Sequence, residues 1–134
     1  MSAPVHLVLL SHSARAAAGV AELAGQVAGD PRRVHAVGGT ADGGLGTSVD
    51  ALDEACREAL AAGADVAVLV DLGSAVLTAR AWLAELEGDE PARVRLVDAP
   101  FLEGAVAAAV TAATGAGLDG VVAQAELARG MRKL

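Results

Sequence analysis

One histidine has the setting that phosphoryl chemistry requires. His12 stands between Ser11 and Ser13, directly after the apolar run Val5 to Leu10. Attack by an imidazole on phosphorus needs one ring nitrogen unprotonated. A carboxylate that accepts a hydrogen bond from the other nitrogen fixes the tautomer and stabilises the positive charge that builds as the N–P bond forms. Asp71 is the candidate for that carboxylate, because it closes the apolar run Ala64 to Val70 in Asp71-Leu72-Gly73-Ser74. Ser13 and Ser74 are each placed to cap a helix, whose first N–H groups and dipole favour phosphate oxygens. The segment Gly38 to Ser48 holds five glycines in eleven residues. It must be a long loop. Its N–H groups, around Gly39 and Thr40, are candidates for phosphate or partner contacts, because glycine allows tight turns and close approach.

Other chemistry finds less support. His6 and His35 lie within apolar runs and read as hydrogen-bonded sheet residues. The three histidines are too scattered for a zinc motif, so no metal is expected. Arg15 could reach a phosphate across one helical turn, but reads more simply as a solvated arginine. No G-x-S-x-G frame surrounds any serine, which argues against a serine hydrolase. The glycine loop has no Walker lysine and no dinucleotide spacing, and no cofactor is expected. Cys56 stands alone in a helical pattern, as a small packed side chain. One thiol makes no disulfide framework and suits a reducing compartment.

The elements that must position these residues alternate. Strands are expected at Val5 to Leu10, Val34 to Val37, Ala64 to Val70 and Val94 to Val97. Helices are expected from Ser13 to about Val27, from Thr47 or Ser48 to about Ala62, and from a Ser74 cap to about Leu86. Two more follow, from Phe101 to Thr114 and from Leu118 to about Arg129. Gly88 to Pro91 reads as a turn. Four strand–helix repeats predict an open, mainly parallel sheet with right-handed crossovers and helices on both faces. In such sheets ligands bind beyond the carboxyl ends of the strands, where the strand order reverses. His12, the glycine loop, Asp71 and Asp98 all fall on that edge. An order of 2-1-3-4 would make strands one and three neighbours, and His12 and Asp71 would emerge side by side.

Composition fits this class and narrows the partners. The 134 residues are 54% hydrophobic, with one Phe, one Trp and no Tyr, so the core is built from Val, Leu and Ala. The net charge is −7 and the ten basic residues are scattered. Nucleic acid is therefore not an expected partner. The residues before the first strand carry no basic cluster, and the run itself is short and contains His6. Neither a signal peptide nor a membrane span is expected there, and a cytoplasmic location is.

Four segments in order carry a resemblance. They are Val8-Leu9-Leu10-Ser11-His12-Ser13; Gly38-Gly39-Thr40 with Leu45-Gly46-Thr47-Ser48; Val70-Asp71-Leu72-Gly73-Ser74-Ala75; and Leu96-Val97-Asp98-Ala99-Pro100-Phe101 with Glu103-Gly104-Ala105. With them the chain resembles the phosphotransferase subunit (the DhaM family) of the bacterial phosphoenolpyruvate-dependent dihydroxyacetone kinase. The first domain of that family is related to the IIA domain of the mannose-type sugar phosphotransferase system. The resemblance implies that His12 is phosphorylated by the carrier protein HPr, with Asp71 in support. The phosphate would pass to ADP on the nucleotide subunit of the kinase, and the ATP formed would serve a dihydroxyacetone-binding subunit. It also implies a homodimer. Some relatives continue into HPr-like and enzyme-I-like domains, whereas residues 1–134 are expected to form a single IIA-like domain. Two other readings stand beside this one. One is a IIA component feeding a mannose-type sugar permease; the other is a non-catalytic, flavodoxin-like regulatory module.

Overall fold

The computed structural model describes residues 2–134. Strand β1 (Val5–Ser11) is followed by helix α1 (Ala14–Ala28), β2 (Val34–Gly38), α2 (Val49–Ala61), β3 (Asp65–Val70) and α3 (Gly73–Leu83). A four-residue helix α4 (Glu90–Arg93), β4 (Val94–Leu96), α5 (Phe101–Ala113) and α6 (Leu118–Leu127) complete the order. The four strands form one parallel sheet in the order β2-β1-β3-β4. This is the arrangement expected from the alternating pattern.

The sheet is buried on both faces, which explains why its strands read as continuous apolar runs. On one face Val5, Leu7 and Leu9 pack with Ala24 of α1, the alanines of α5, and Val121 and Ala125 of α6. Small side chains let these helices lie close to the sheet. On the other face Val8, Leu10, Val66 and Val68 meet Leu52 and Cys56 of α2 and Ala75, Ala79 and Trp82 of α3. Trp82 is the largest fully buried side chain. Its indole N–H donates to Asp53 at 2.7 Å, so its polar atom does not go unpaired. Burial pushes the Cys56 thiol up to about 12, so it stays a packed, un-ionised side chain.

Local signals place most of the boundaries. Ser13 and Ser48 cap α1 and α2, accepting the amides of Ala16 and Ala51 at 3.2 Å each. The structure departs from the sequence reading at α3. Its cap position is Leu72, and Ser74 lies inside the first turn instead of ahead of it. The helix also stops at Leu83, where the amides of Glu85 and Leu86 turn back to Trp82 and Leu83. The turn at Gly88 to Pro91 runs on into α4, with Pro91 in its first turn, where a missing N–H costs nothing.

One glycine fixes how β2 meets the site. A Cβ on Gly38 would lie 2.6 Å from the Ser13 carbonyl oxygen and 2.9 Å from the Ala14 nitrogen. Both are backbone atoms and cannot swing away. Gly38→Ala should therefore cost about 1–3 kcal/mol, the usual range for overpacking. Urea unfolding measures this; a stability equal to the parent would show that the β2 end is not held against α1.

Candidate functional site

The carboxyl edge of the sheet brings His12 and Asp71 together, because β1 and β3 are neighbours in register. The Asp71 carboxylate collects four donors. Its Oδ2 accepts the Ser11 hydroxyl at 2.8 Å and the His12 amide at 3.0 Å. Its Oδ1 accepts the His12 ring through Nδ1 at 2.9 Å and the Leu72 amide at 2.7 Å. Burial alone would raise this carboxyl. The His12 amide and ring, the Ser11 hydroxyl and the Leu72 amide outweigh that and hold it at about 2, below its usual 3.8.

An ionised Asp71 sets the tautomer of His12. A carboxylate can only accept, so Nδ1 carries the ring proton and Nε2 is left as the acceptor. Nε2 faces the Ser74 hydroxyl at 2.6 Å, and that hydroxyl donates to it. The unshared pair needed to attack an electrophile is therefore on Nε2, on the outer side of a ring whose side chain is 23% exposed. Ser74 thus serves the histidine directly, whereas a cap would have satisfied the amides of α3. Among the described residues the amides of Gly73 and Ser74 have no protein acceptor, and they open the helix beside Nε2.

Ser11 is the residue that the sequence reading passed over. It is fully buried. It donates to Asp71 and accepts the Ser13 amide at 3.1 Å, tying the end of β1 both to the carboxylate and to the start of α1. A small polar side chain directly after the apolar stretch Leu7 to Leu10 was the available signal.

The glycine-rich loop is held partly by its own bonds. Three of its N–H groups are turned inward. Thr40 N–H donates to Gly44 O at 2.9 Å and Gly43 N–H to Thr40 O at 3.0 Å, and Gly44 N–H reaches Thr40 Oγ1 and Asp42 Oδ1. The Thr40 hydroxyl donates to Asp42. Gly39, with φ at 79°, makes the turn at the base of the loop beside Ala14. What the loop offers the site is support. Gly46, at φ 145°, donates its N–H to the His12 carbonyl at 2.8 Å. Thr47 and Thr78 pin the loop to α3 through their hydroxyls at 2.6 Å.

Beside the His12–Asp71 pair a cleft of about 480 Å³ opens between α3 and the ends of β3 and β4, with Asp71, Arg80 and Asp98 on its walls. The Asp98 amide donates to Glu126 at 3.1 Å, and its carboxylate pairs with Arg129 at 3.0 Å. Arg15 is exposed in the first turn of α1. His6 and His35 are not brought to this edge. They stack on each other, ring nitrogens 2.9 Å apart. His6 lies six residues before His12 along β1, about 20 Å at 3.3 Å per residue. Burial, then the neighbouring His35 and Arg33, lower the His6 pKa. Among the described residues no three potential ligands gather to hold a metal, and no helix is long and apolar enough to cross a membrane.

The Asp71 shift has a consequence for stability. A carboxyl depressed in the folded state stabilises fully above its unfolded value of 3.8, and that stabilisation is lost as pH falls towards 2. The contribution is about 2 kcal/mol, from 1.36 kcal/mol per unit. Urea unfolding of the parent and Asp71→Asn should show a stability gap that closes between about pH 4 and pH 2. A gap independent of pH would contradict the carboxylate's role as a shared acceptor.

The chain is similar to known proteins in sequence and fold. The family model described as the PTS system fructose IIA component (EIIA-man) matches residues 6–122. The PEP-dependent dihydroxyacetone kinase phosphoryl donor subunit DhaM of Klebsiella michiganensis is 41% identical over 124 residues, covering 90% of this chain and 26% of that protein. The subunit of the same name from Escherichia coli K12 is 40% identical over 121 residues, covering 88% of this chain and 25% of its own length. This chain thus spans about a quarter of the length of those two relatives. The DhaM of kinase 2 from Listeria innocua is 36% identical over 107 residues, covering 79% of this chain and 84% of that protein. A crystal structure of the unknown function protein EF1359 superimposes with a TM-score of 0.87 at 33% identity, covering 100% of this chain and 99% of that one.

Proposed function

The chain belongs to the family of the PTS system fructose IIA component, and we propose that it is a phosphohistidine carrier in a dihydroxyacetone kinase system. The observation that carries this reading is the His12 ring, held by an ionised Asp71 at Nδ1 with its free pair outward on Nε2.

Nε2 attacks the phosphorus of a phosphohistidine on HPr. The new N–P bond forms as the donor's N–P bond breaks, and that electron pair stays on the donor imidazole. His12 then carries a phosphoryl group on Nε2 and a proton on Nδ1, and the Asp71 carboxylate offsets the ring's positive charge. The Ser74 hydroxyl gives up Nε2 and, with the Gly73 and Ser74 amides, turns to the phosphoryl oxygens. Ser13 anchors the opposite helix start, and Gly39 and Thr40 form the rim that meets a partner. In the second step a β-phosphate oxygen of ADP, bound on the nucleotide subunit of the kinase, attacks the phosphorus. The pair returns to Nε2, and the ATP formed serves the dihydroxyacetone-binding subunit. The reading includes a homodimer in the cytoplasm. The names of the DhaM relatives support this acceptor. The family model's own description favours a second reading, in which the same histidine feeds a sugar permease.

Mixing the chain with phosphoenolpyruvate, enzyme I and HPr tests the shared first step. The expected result is a mass gain of one acid-labile phosphate, and no gain would sink both readings. Adding the ADP-loaded kinase subunits separates them. With dihydroxyacetone also supplied, dihydroxyacetone phosphate forms under the first, and the phosphate stays on the chain under the second.

A further inference from the structure

The basic side chains around His12 differ from most of those elsewhere on the surface. The chain carries a net charge of −7. Among the described residues, seven of its ten basic side chains lie within ion-pair distance of a carboxylate. The three that do not are Arg15, Arg80 and Arg132. Arg132 sits in the C-terminal tail. The other two flank His12: Arg15 three residues on, in the first turn of α1, and Arg80 on the side of α3 that lines the cleft shared with Asp71. Three leucines stand in solvent on the same edge. Leu45 is 82% exposed and adjoins Gly46, which holds the His12 carbonyl; Leu72 is 60% exposed and adjoins Asp71; Leu77 is 71% exposed, one helical step beyond Ser74.

We propose that this edge is the docking face for a partner protein that is acidic around its phosphoryl-accepting centre, with Arg15 and Arg80 as the two electrostatic anchors. The proposal rests on the reading that His12 passes its phosphate to a protein-bound acceptor. A guanidinium with a structural task here has a carboxylate beside it, as the paired arginines do. An unpaired one keeps its full fork of donors for a partner's carboxylate, which it can grip at two points. The −7 chain repels an acidic partner at long range. Two cations beside the reacting histidine orient the approach and select the face that docks, an effect that salt weakens. The leucines supply the apolar contact that excludes water between the anchors. A single exposed leucine signifies little; three on the edge that holds the unpaired arginines mark an interface.

The test uses the nucleotide-binding subunit of dihydroxyacetone kinase as the probe, first free of nucleotide and then loaded with ADP. The chain is charged with phosphoramidate, a small donor that needs no docking, and uncharged chain is measured in parallel. Arg15→Glu and Arg80→Glu should each weaken binding to the nucleotide-free subunit about 10-fold and flatten its salt dependence. Charging by phosphoramidate should stay at the parent rate in both. Arg132→Glu should bind like the parent. Unchanged binding in Arg15→Glu and Arg80→Glu overturns the proposal, as does no binding by the parent chain. A loss seen only with ADP present also overturns it, since the arginines would then meet nucleotide phosphates and not protein carboxylates. Failure of the parent to accept phosphate from phosphoramidate counts against the carrier reading and leaves the binding result intact.

Discussion

His12→Ala is expected to take up no acid-labile phosphate from phosphoenolpyruvate, enzyme I and HPr, a loss down to background. The side chain it removes is the one whose second nitrogen is both unprotonated and directed outward. No other histidine can substitute, because His6 and His35 are paired with each other well down the sheet. The fold should survive. The backbone bonds that hold this turn, His12 N–H to Asp71 and Gly46 N–H to the His12 carbonyl, do not involve the ring. Mass spectrometry before and after acid treatment, with circular dichroism alongside, reads both effects. Parent-like uptake by a folded His12→Ala would remove His12 from the mechanism.

Asp71→Ala should slow phosphoryl transfer by about 10- to 100-fold, by analogy with the loss of a group that orients a metal-bound histidine. The substitution frees the imidazole to turn and to take either tautomer, and it removes the charge that offsets the phosphorylated ring. It should also cost about 1–3 kcal/mol, because the buried Ser11 hydroxyl and the His12 amide lose their acceptor. Asp71→Asn separates the two effects. It keeps an oxygen for one of those donors and so recovers part of the stability. It cannot anchor the charged ring, so the rate should remain low. Stopped transfer assays and urea unfolding on both variants check the pair. A full rate in Asp71→Asn would show that shape alone, without charge, positions His12.

Much of this edge could be read from the residues because the features involved are local or topological. Apolar runs such as Val5 to Leu10 and Ala64 to Val70 mark strands buried on both faces. Hydroxyl residues ahead of helical patterns mark Ser13, and Thr47 or Ser48, as caps. Once the strand order is 2-1-3-4, the adjacency of His12 and Asp71 follows from register. What could not be read depends on the direction of single side chains. Ser74 has the sequence context of a cap, yet the helix begins one residue ahead of it and its hydroxyl goes to His12. Five glycines mark the loop, but which of its N–H groups bond within it depends on its own turns, here Thr40 to Gly44. Ser11 was overlooked because a serine hydroxyl reveals nothing until its acceptor is known. The arginines beside His12 stood out only after the ion pairs of the others were in place.

Phosphorylation of the ring at Nε2 is the point on which the geometry commits itself most sharply. The direct measurement is an NMR correlation between the phosphoryl phosphorus and the nitrogens of isotopically labelled imidazole, made on the charged chain. The expected result is coupling to Nε2 of His12, with Nδ1 still protonated and bonded to Asp71. Coupling to Nδ1, or to the ring of His6 or His35, would contradict the arrangement of His12, Asp71 and Ser74 as a phosphate-carrying site.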